Sequence, residues 1–154
     1  MKTKFHPSKI CISVAWQKPP LGWAKLNTDG SALGNPGRAE LWALRDGLII
    51  VKELGLCNLI VELDASSVVQ LLSSDKPYLL MKPLLSDCRS LYRTIPNKRI
   101  QHVYREANQC ADALARLGSS VVSSFVVFVE PPPVVVSLLA LDEAGFCCNR
   151  LVCC

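Results

Sequence analysis

A long amphipathic helix between two strand-like segments most strongly limits how this chain can fold. Leucine and valine recur at three- and four-residue steps within residues 38–55, and this spacing predicts one helix with one apolar face. Residues 21–28 before it and 59–63 after it have the composition of short strands. The order strand–helix–strand is typical of two parallel strands joined by a crossover helix, so the sequence predicts an α/β fold.

Further elements extend this pattern towards the carboxyl end. Asp64 is predicted to cap a helix that begins near Ser66, and Pro83 is predicted to open another helix. Residues 100–104, which include His102, are predicted to form a strand. A last helix is expected over 109–117, with Asn108 as its cap. Together these elements predict a small, mainly parallel sheet flanked by helices.

The chain divides into three parts by composition. Its 154 residues suit one domain, which we assign to 21–119. Residues 1–20 contain lysine and proline and are interpreted as a leader. Residues 120–154 form an apolar tail containing proline and cysteine, in which 125–128 resembles a strand.

Charge and cysteine content limit the compartment and the partners. The formal net charge of +4 is compatible with a polyanionic partner but does not by itself indicate one. No secretory signal and no apolar run of roughly 18 residues is present, which favours an intracellular protein of the nucleus or cytoplasm without a membrane segment. Four of the eight cysteines, Cys11, Cys57, Cys88 and Cys110, are scattered singly and are interpreted as buried free thiols.

Four acidic residues lie where predicted elements begin or end. Asp29 and Asp64 follow two parallel strands, whose carboxyl ends share one edge of the sheet. Glu40 is expected in the first turn of the helix that starts at this edge, and Asp112 one turn into the last helix. Three of them also have a structural interpretation: a turn for Asp29, a helix-dipole contact for Glu40 and a cap for Asp64.

If the four carboxylates converge, they form a pocket of oxygen ligands with a strong negative charge. Such a pocket suits Mg²⁺, or Mn²⁺ as a substitute, because hard cations prefer oxygen ligands. Two such ions can activate a water molecule and stabilise the leaving oxygen of a phosphodiester. Their convergence would therefore predict a phosphodiesterase of the two-metal type.

Four motifs that contain these acids occur in a fixed order. They are Asp29-Gly30-Ser31-x-Leu33-Gly34-Asn35-Pro36-Gly37, Ala39-Glu40-Leu41-x-Ala43-Leu44, Val61-Glu62-x-Asp64-Ala65 and Glu106-Ala107-Asn108-x-x-Ala111-Asp112-x-Leu114-Ala115. In this order they resemble the type 1 ribonuclease H family, in particular its plant branch, which is related to the ribonuclease H domains of non-LTR retrotransposon reverse transcriptases. The resemblance covers about residues 16–119.

The resemblance implies a ribonuclease H-like fold that cleaves the RNA strand of an RNA–DNA hybrid with two Mg²⁺ ions. It implies that the catalytic and metal-binding residues are Asp29, Glu40, Asp64 and Asp112. It also implies that Gly34, Asn35 and Ser66 contact the minor groove, where the 2′-hydroxyl distinguishes RNA from DNA. Arg105 is expected to contact phosphates, unless it forms part of a solvated basic edge.

The chain departs from the family in one segment. Family members carry a hairpin, their second and third strands, where this chain has only Arg38 between Gly37 and Ala39. The strand that ends at Asp29 is therefore expected to be an open edge of a truncated, three-stranded sheet. Two alternatives to an active nuclease follow from this loss: a nucleic-acid-binding protein that does not cleave, and a non-functional remnant of a retroelement-derived gene.

Overall fold

The computed structural model describes residues 8–30, 36–74, 81–120 and 125–153. Within these ranges the strands are β1 (Lys9–Val14), β2 (Ala24–Thr28), β3 (Asn58–Leu63), β4 (Asn97–His102) and β5 (Cys148–Cys153). The helices are α1 (Pro36–Glu53), α2 (Ser66–Ser73), α3 (Lys82–Thr94), α4 (Gln109–Ser119) and α5 (Pro133–Glu143). A 3-10 turn at Arg105–Ala107 precedes α4.

The central sheet has three parallel strands in the order β2-β3-β4. Its apolar face packs with α1, α2 and α3 around buried side chains of which the largest are Leu41, Leu44, Leu48, Leu59, Leu63 and Leu85. Because β3 lies between its two neighbours, nearly all of its side chains are buried. This architecture confirms the predicted α/β fold with a small parallel sheet, and β2 is an edge strand as expected.

The principal helix is displaced by two residues from its predicted bounds. It begins at Pro36, because proline has a backbone angle suited to the first helical position, and this places Glu40 in the second turn instead of the first. The helix ends at Glu53, and Gly55 turns the chain with a φ of +64°. Leu54, predicted to belong to the apolar face, lies beyond this end and is 67% exposed.

Strand β4 begins three residues earlier than the sequence indicated. Its register against β3 runs from Asn58↔Asn97 to Leu63↔His102, so His102 lies in the strand as predicted. The sequence indicates a start at Ile100, because Ile100 is the first apolar residue of this segment. The strand begins before it, in a stretch that contains the charged residues Lys98 and Arg99. An edge strand tolerates such residues because one of its sides is open to solvent.

Asp64 is not the cap of α2, whereas Asn108 has the predicted cap position before α4 but does not form the cap hydrogen bond. The residue before α2 is Ala65, and no side chain caps this helix. Asn108 does precede α4, but its side chain makes no cap hydrogen bond there. Instead, Asn108 Nδ2 donates to the backbone oxygen of Thr28 at 3.0 Å. This residue therefore joins the start of α4 to the end of β2.

The other face of the sheet has a buried polar network centred on Glu62, which is 2% exposed. Glu62 Oε1 accepts hydrogen bonds from Lys25 Nζ at 2.6 Å and Gln101 Nε2 at 2.7 Å. Glu62 Oε2 accepts one from Asn27 Nδ2 at 2.9 Å. The buried carboxylate therefore has a positive partner and two neutral donors, as a charge in the protein interior requires.

Replacing Lys25 with methionine is expected to lower the free energy of unfolding by about 3 kcal/mol, because Glu62 would lose its only ion-pair partner in the described structure. The double variant Lys25→Met/Glu62→Leu should recover much of this loss, since no unpaired charge remains buried. Urea unfolding measures both effects, with Lys52→Met on the exposed surface of α1 as the control. A Lys25→Met loss no larger than that of the control would contradict the assigned role of this pair.

The segments outside the predicted domain also contain regular structure. Strands β1 and β5 pair antiparallel, from Lys9↔Cys153 to Val14↔Cys148, and α5 packs on α4. Arg150 of β5 holds this ribbon to the domain through a hydrogen-bonded ion pair with Glu106 at 2.8 Å. The strand expected at 125–128 is not formed, and the domain boundaries stay a prediction.

The cysteines are less buried than their pattern indicated. Cys88 is buried and Cys110 half-buried, whereas Cys11 and Cys57 are exposed. Cys11 lies on a two-stranded ribbon, and Cys57 lies in the connection between α1 and β3, outside the central sheet. In the part of the chain that the structure describes, no helix has both the length and the apolar character to cross a bilayer.

Candidate metal centre

Three carboxylates meet at the carboxyl edge of the parallel sheet. Asp29 follows β2, Asp64 follows β3, and Glu40 lies in α1, the helix that connects these two strands. Each offers one oxygen atom, and the three atoms lie within 4.8 Å of one another. Residues separated by up to 35 positions are therefore brought to one point by the crossover connection.

Gly30 permits this arrangement because the helix passes very close to it. A Cβ atom at Gly30 would lie 2.2 Å from the backbone nitrogen of Glu40 and 2.3 Å from the carbonyl carbon of Ala39. The backbone nitrogen of Gly30 donates a hydrogen bond to Glu40 Oε1 at 3.0 Å. A residue with no side chain thus lets α1 lie against the end of β2 and fixes one oxygen of Glu40.

The other oxygen of Glu40 is buried without a partner. Glu40 is 5% exposed, and its Oε2 has no hydrogen bond in the described structure. Burial raises the pKa of Glu40 to about 8, and the neighbouring Asp29 and Asp64 raise it too, against the lowering effect of the Gly30 N–H. Burial likewise raises the pKa of Asp29. The edge therefore concentrates negative charge that the described side chains compensate only in part.

This donor set fits a hard divalent cation. Its ligand atoms are carboxylate oxygens, and no cysteine or histidine belongs to the group. A cation bound among Asp29, Glu40 and Asp64 would give the buried Glu40 Oε2 an interaction partner and offset the repulsion between the acids. The residues present therefore match the chemistry of a Mg²⁺ or Mn²⁺ site.

The fourth predicted acid, Asp112, lies beside the other three but outside the group of converging oxygens. Its carboxylate forms an ion pair with Arg116 at 2.9 Å, one turn further along α4. Its negative charge is close enough to Asp29 to help raise the pKa of that residue, after the larger effect of burial. Asp112 thus lies next to the candidate centre, and Arg116 of the same helix partly neutralises its charge.

The residues predicted to contact nucleic acid have different positions. Ser66 is exposed at the first residue of α2, two positions after Asp64. Arg105 is exposed, and its Nε lies 3.4 Å from Asp64 Oδ2, so this guanidinium faces the candidate centre itself. The contact with Asp64 raises the pKa of Arg105. Gly34 and Asn35 lie outside the described residues.

Sequence reasoning missed the residues that support the centre. Asn27 Nδ2 donates to Asn108 Oδ1 at 3.1 Å, and Asn108 in turn holds Thr28, one residue before Asp29. His102 Nε2 lies 3.1 Å from the backbone oxygen of Asp64. A pattern in the sequence could have identified this polar support: polar residues stand among apolar ones in the two strands, at Lys25 and Asn27 in β2 and at Glu62 in β3.

Comparison with known proteins gives two matches. The model of the reverse-transcriptase-like family matches residues 24–118. A protein of Arabidopsis thaliana named "Putative ribonuclease H protein At1g65750" is 30% identical over 165 aligned positions, which cover 86% of this chain and 26% of the relative. The chain thus spans about a quarter of the length of this curated relative. Because the alignment is longer than the 154-residue chain, the relative contains residues that this chain lacks.

Proposed function

Because this chain belongs to the reverse-transcriptase-like family and contains a ribonuclease H-like domain, we propose that it hydrolyses the RNA strand of RNA–DNA hybrids. One observation carries the proposal. The oxygens of Asp29, Glu40 and Asp64 lie within 4.8 Å of one another at the edge of the sheet, with one buried oxygen unpartnered. A surface cluster formed by chance would not place at its centre a buried acid with one oxygen left unpartnered.

Asp29, Glu40 and Asp64 would hold Mg²⁺, with Mn²⁺ as a substitute, and Asp112 would complete a site for two ions. Cations held by these residues would supply activation of the attacking water and stabilisation of charge on the leaving oxygen of the phosphodiester. The Gly30 N–H holds one oxygen of Glu40 and so fixes the orientation of this carboxylate. Asn108 fixes the end of β2 and therefore the position of Asp29.

The substrate follows from the family and from the surface around the centre. The Arabidopsis relative is named as a ribonuclease H, and a ribonuclease of this class acts on a polyanion. Arg105 offers an exposed guanidinium within 3.4 Å of Asp64, where it can contact a phosphate next to the reacting one. We assign minor-groove contacts to Ser66, Gly34 and Asn35, since the 2′-hydroxyl identifies the RNA strand there.

A second candidate function is binding of nucleic acid without cleavage. The ion pair between Asp112 and Arg116 favours it, because Arg116 lies 2.9 Å from one Asp112 oxygen and offsets part of the negative charge that would attract a second cation. In this alternative Arg105 and Ser66 contact nucleic acid, and the acidic centre does not assemble for hydrolysis. The two functions differ in a single measurable step, cleavage of the RNA strand.

Incubation of the purified chain with a labelled RNA–DNA hybrid and Mg²⁺ tests the proposal. We expect cleavage of the RNA strand, none of a DNA duplex, and loss of cleavage with a chelator or in Asp64→Asn. Asp87→Asn on the exposed side of α3 is the matched control and should retain the wild-type rate. Binding of the hybrid without cleavage would support the second function, and neither binding nor cleavage by a folded sample would exclude both.

A further inference from the structure

The outer edge of β2 is open within the part of the chain that the structure describes. β2 pairs with β3 on one side, and no described strand pairs on the other. The exposure of Lys25 is consistent with an open backbone edge. Only 6% of its side chain is exposed, yet the residue as a whole is partly exposed. Its main chain therefore supplies the exposure, as expected where alternate backbone N–H and C=O groups lack a partner strand.

This edge has none of the features that usually prevent strand association. The register from Ala24↔Leu59 to Thr28↔Leu63 is continuous, so β2 contains no bulge, and it contains no proline. Its one charged residue, Lys25, is turned into the polar network and neutralised by Glu62. An edge without a bulge, a proline or an outward charge is a template for another strand.

The opposite edge of the same sheet differs in this respect. β4 contains Lys98, Arg99 and His102, and Arg99 and His102 are exposed. Two β4 strands placed side by side would bring like charges together, which disfavours pairing. If two copies of the chain associate edge to edge through their sheets, β2 is therefore the favoured edge.

We propose that β2 pairs antiparallel with β2 of a second copy of this chain, which gives a closed dimer with a continuous six-stranded sheet. With the two-fold axis at Leu26, Ala24 lies opposite Thr28, and Lys25 lies opposite Asn27. No like charges face each other in this register, so the strand is complementary to itself. Because the charged β4 edges remain at the outside, the pairing stops at two copies.

The helix above β2 contributes an apolar flank to this interface. α1 approaches β2 closely at Gly47, where an added Cβ would lie 2.7 Å from a methyl carbon of Leu26. Ile50 lies three positions after Gly47, on the side of the helix that faces β2. Leu54 is the first residue beyond the helix, and its backbone N–H still donates to the oxygen of Ile50 at 2.9 Å, so it continues this side of the helix. Leu54 is 67% exposed, and a second copy along the β2 edge would cover part of it.

Sedimentation equilibrium over a range of protein concentrations, combined with hydrogen exchange of the full chain, tests the proposal. We expect a monomer–dimer equilibrium, with the amides of Ala24–Thr28 exchanging about tenfold more slowly at concentrations where the dimer dominates. The amides of β4 should exchange at the same rate at all concentrations. A monomer throughout would overturn the proposal, and so would a dimer in which β2 exchange is unchanged.

A pair of matched variants separates this interface from association through other apolar residues. Leu54→Lys should raise the dissociation constant of the dimer about tenfold, because it places a charge on the covered flank. Val129→Lys, at a residue that is 99% exposed in the segment before α5, should change it less than about twofold. The reverse result would assign the dimer to that segment and would overturn pairing through β2.

Discussion

Replacing Glu40 with glutamine is expected to lower hydrolysis of an RNA–DNA hybrid at least about a hundredfold, while stabilising the metal-free protein at pH 8. The rate should fall because a neutral amide no longer contributes charge at the cation site, and a hundredfold corresponds to about 2.7 kcal/mol of activation free energy. The stability should rise because the buried carboxylate lies beside two other acids with one oxygen unpartnered. One substitution therefore has opposite effects on the two properties.

The pH dependence of stability follows from the raised pKa of Glu40. This pKa is about 8 in the folded protein against 4.5 for the ordinary side chain, so the folded state holds a proton that the unfolded state has lost between these values. Its stabilising contribution is complete below pH 4.5 and is lost as the pH rises through about 8. The slope reaches about −1.4 kcal/mol per pH unit, and Glu40→Gln should remove it.

Thermal unfolding of metal-free protein between pH 5 and pH 8 measures this slope, and a hybrid-cleavage assay measures the rate. Glu53→Gln, the same change at the exposed end of α1, is the control for both. Addition of Mg²⁺ at pH 8 should stabilise the wild type more than Glu40→Gln, since a ligand stabilises only the state that binds it. Equal pH slopes in wild type and variant would contradict the placement of Glu40 at a charged, cation-binding edge.

Replacing Gly30 with alanine is expected to lower the free energy of unfolding by about 4 kcal/mol and to abolish hydrolysis. The added methyl would lie 2.2 Å from a backbone atom of Glu40, a distance that no side-chain rotation relieves. Either α1 moves away from the end of β2 or the strand ends differently. In both cases Glu40 leaves Asp29 and Asp64, and a displacement of 1 Å at such a site costs about a hundredfold in rate.

Gly118→Ala in α4 provides the matched control, because a Cβ there would meet nothing within 4 Å. Alanine is the better helix former, so this variant should be unchanged or more stable by up to about 1 kcal/mol. Urea unfolding and the cleavage assay compare the two variants directly. A Gly30→Ala protein that matches Gly118→Ala in both measurements would show that the close contact between β2 and α1 is not required.

The regular part of the fold was predictable because its signal is local. The leucine spacing of α1 and the apolar run of β3 gave the crossover unit, and the two acids after β2 and β3 indicated the functional edge. The start of β4 was not predictable from its own residues, because pairing with β3 places Asn97, Lys98 and Arg99 in a strand. Tertiary pairing here prevails over the intrinsic preference of the residues.

The details of the site depended on contacts that no local pattern encodes. Asn108 has the residue type and position of a helix cap, yet its amide donates to Thr28, 80 positions earlier. Asp112 was grouped with the other acids by its motif, whereas Arg116, one turn away, provides its nearest cation. The unpartnered oxygen of Glu40 depends on how closely α1 approaches Gly30, and this approach is a property of the packed structure alone.

The antiparallel ribbon of β1 and β5 joins two segments that are separated by more than 130 residues. A shortened chain that lacks either strand would leave the other unpaired, and removal of β5 would also take Arg150 away from Glu106. A circularly permuted protein should therefore keep both strands and join β1 to β5 by a linker, because Lys9 and Cys153 are paired neighbours. Its new termini are better placed in a surface connection between two other elements.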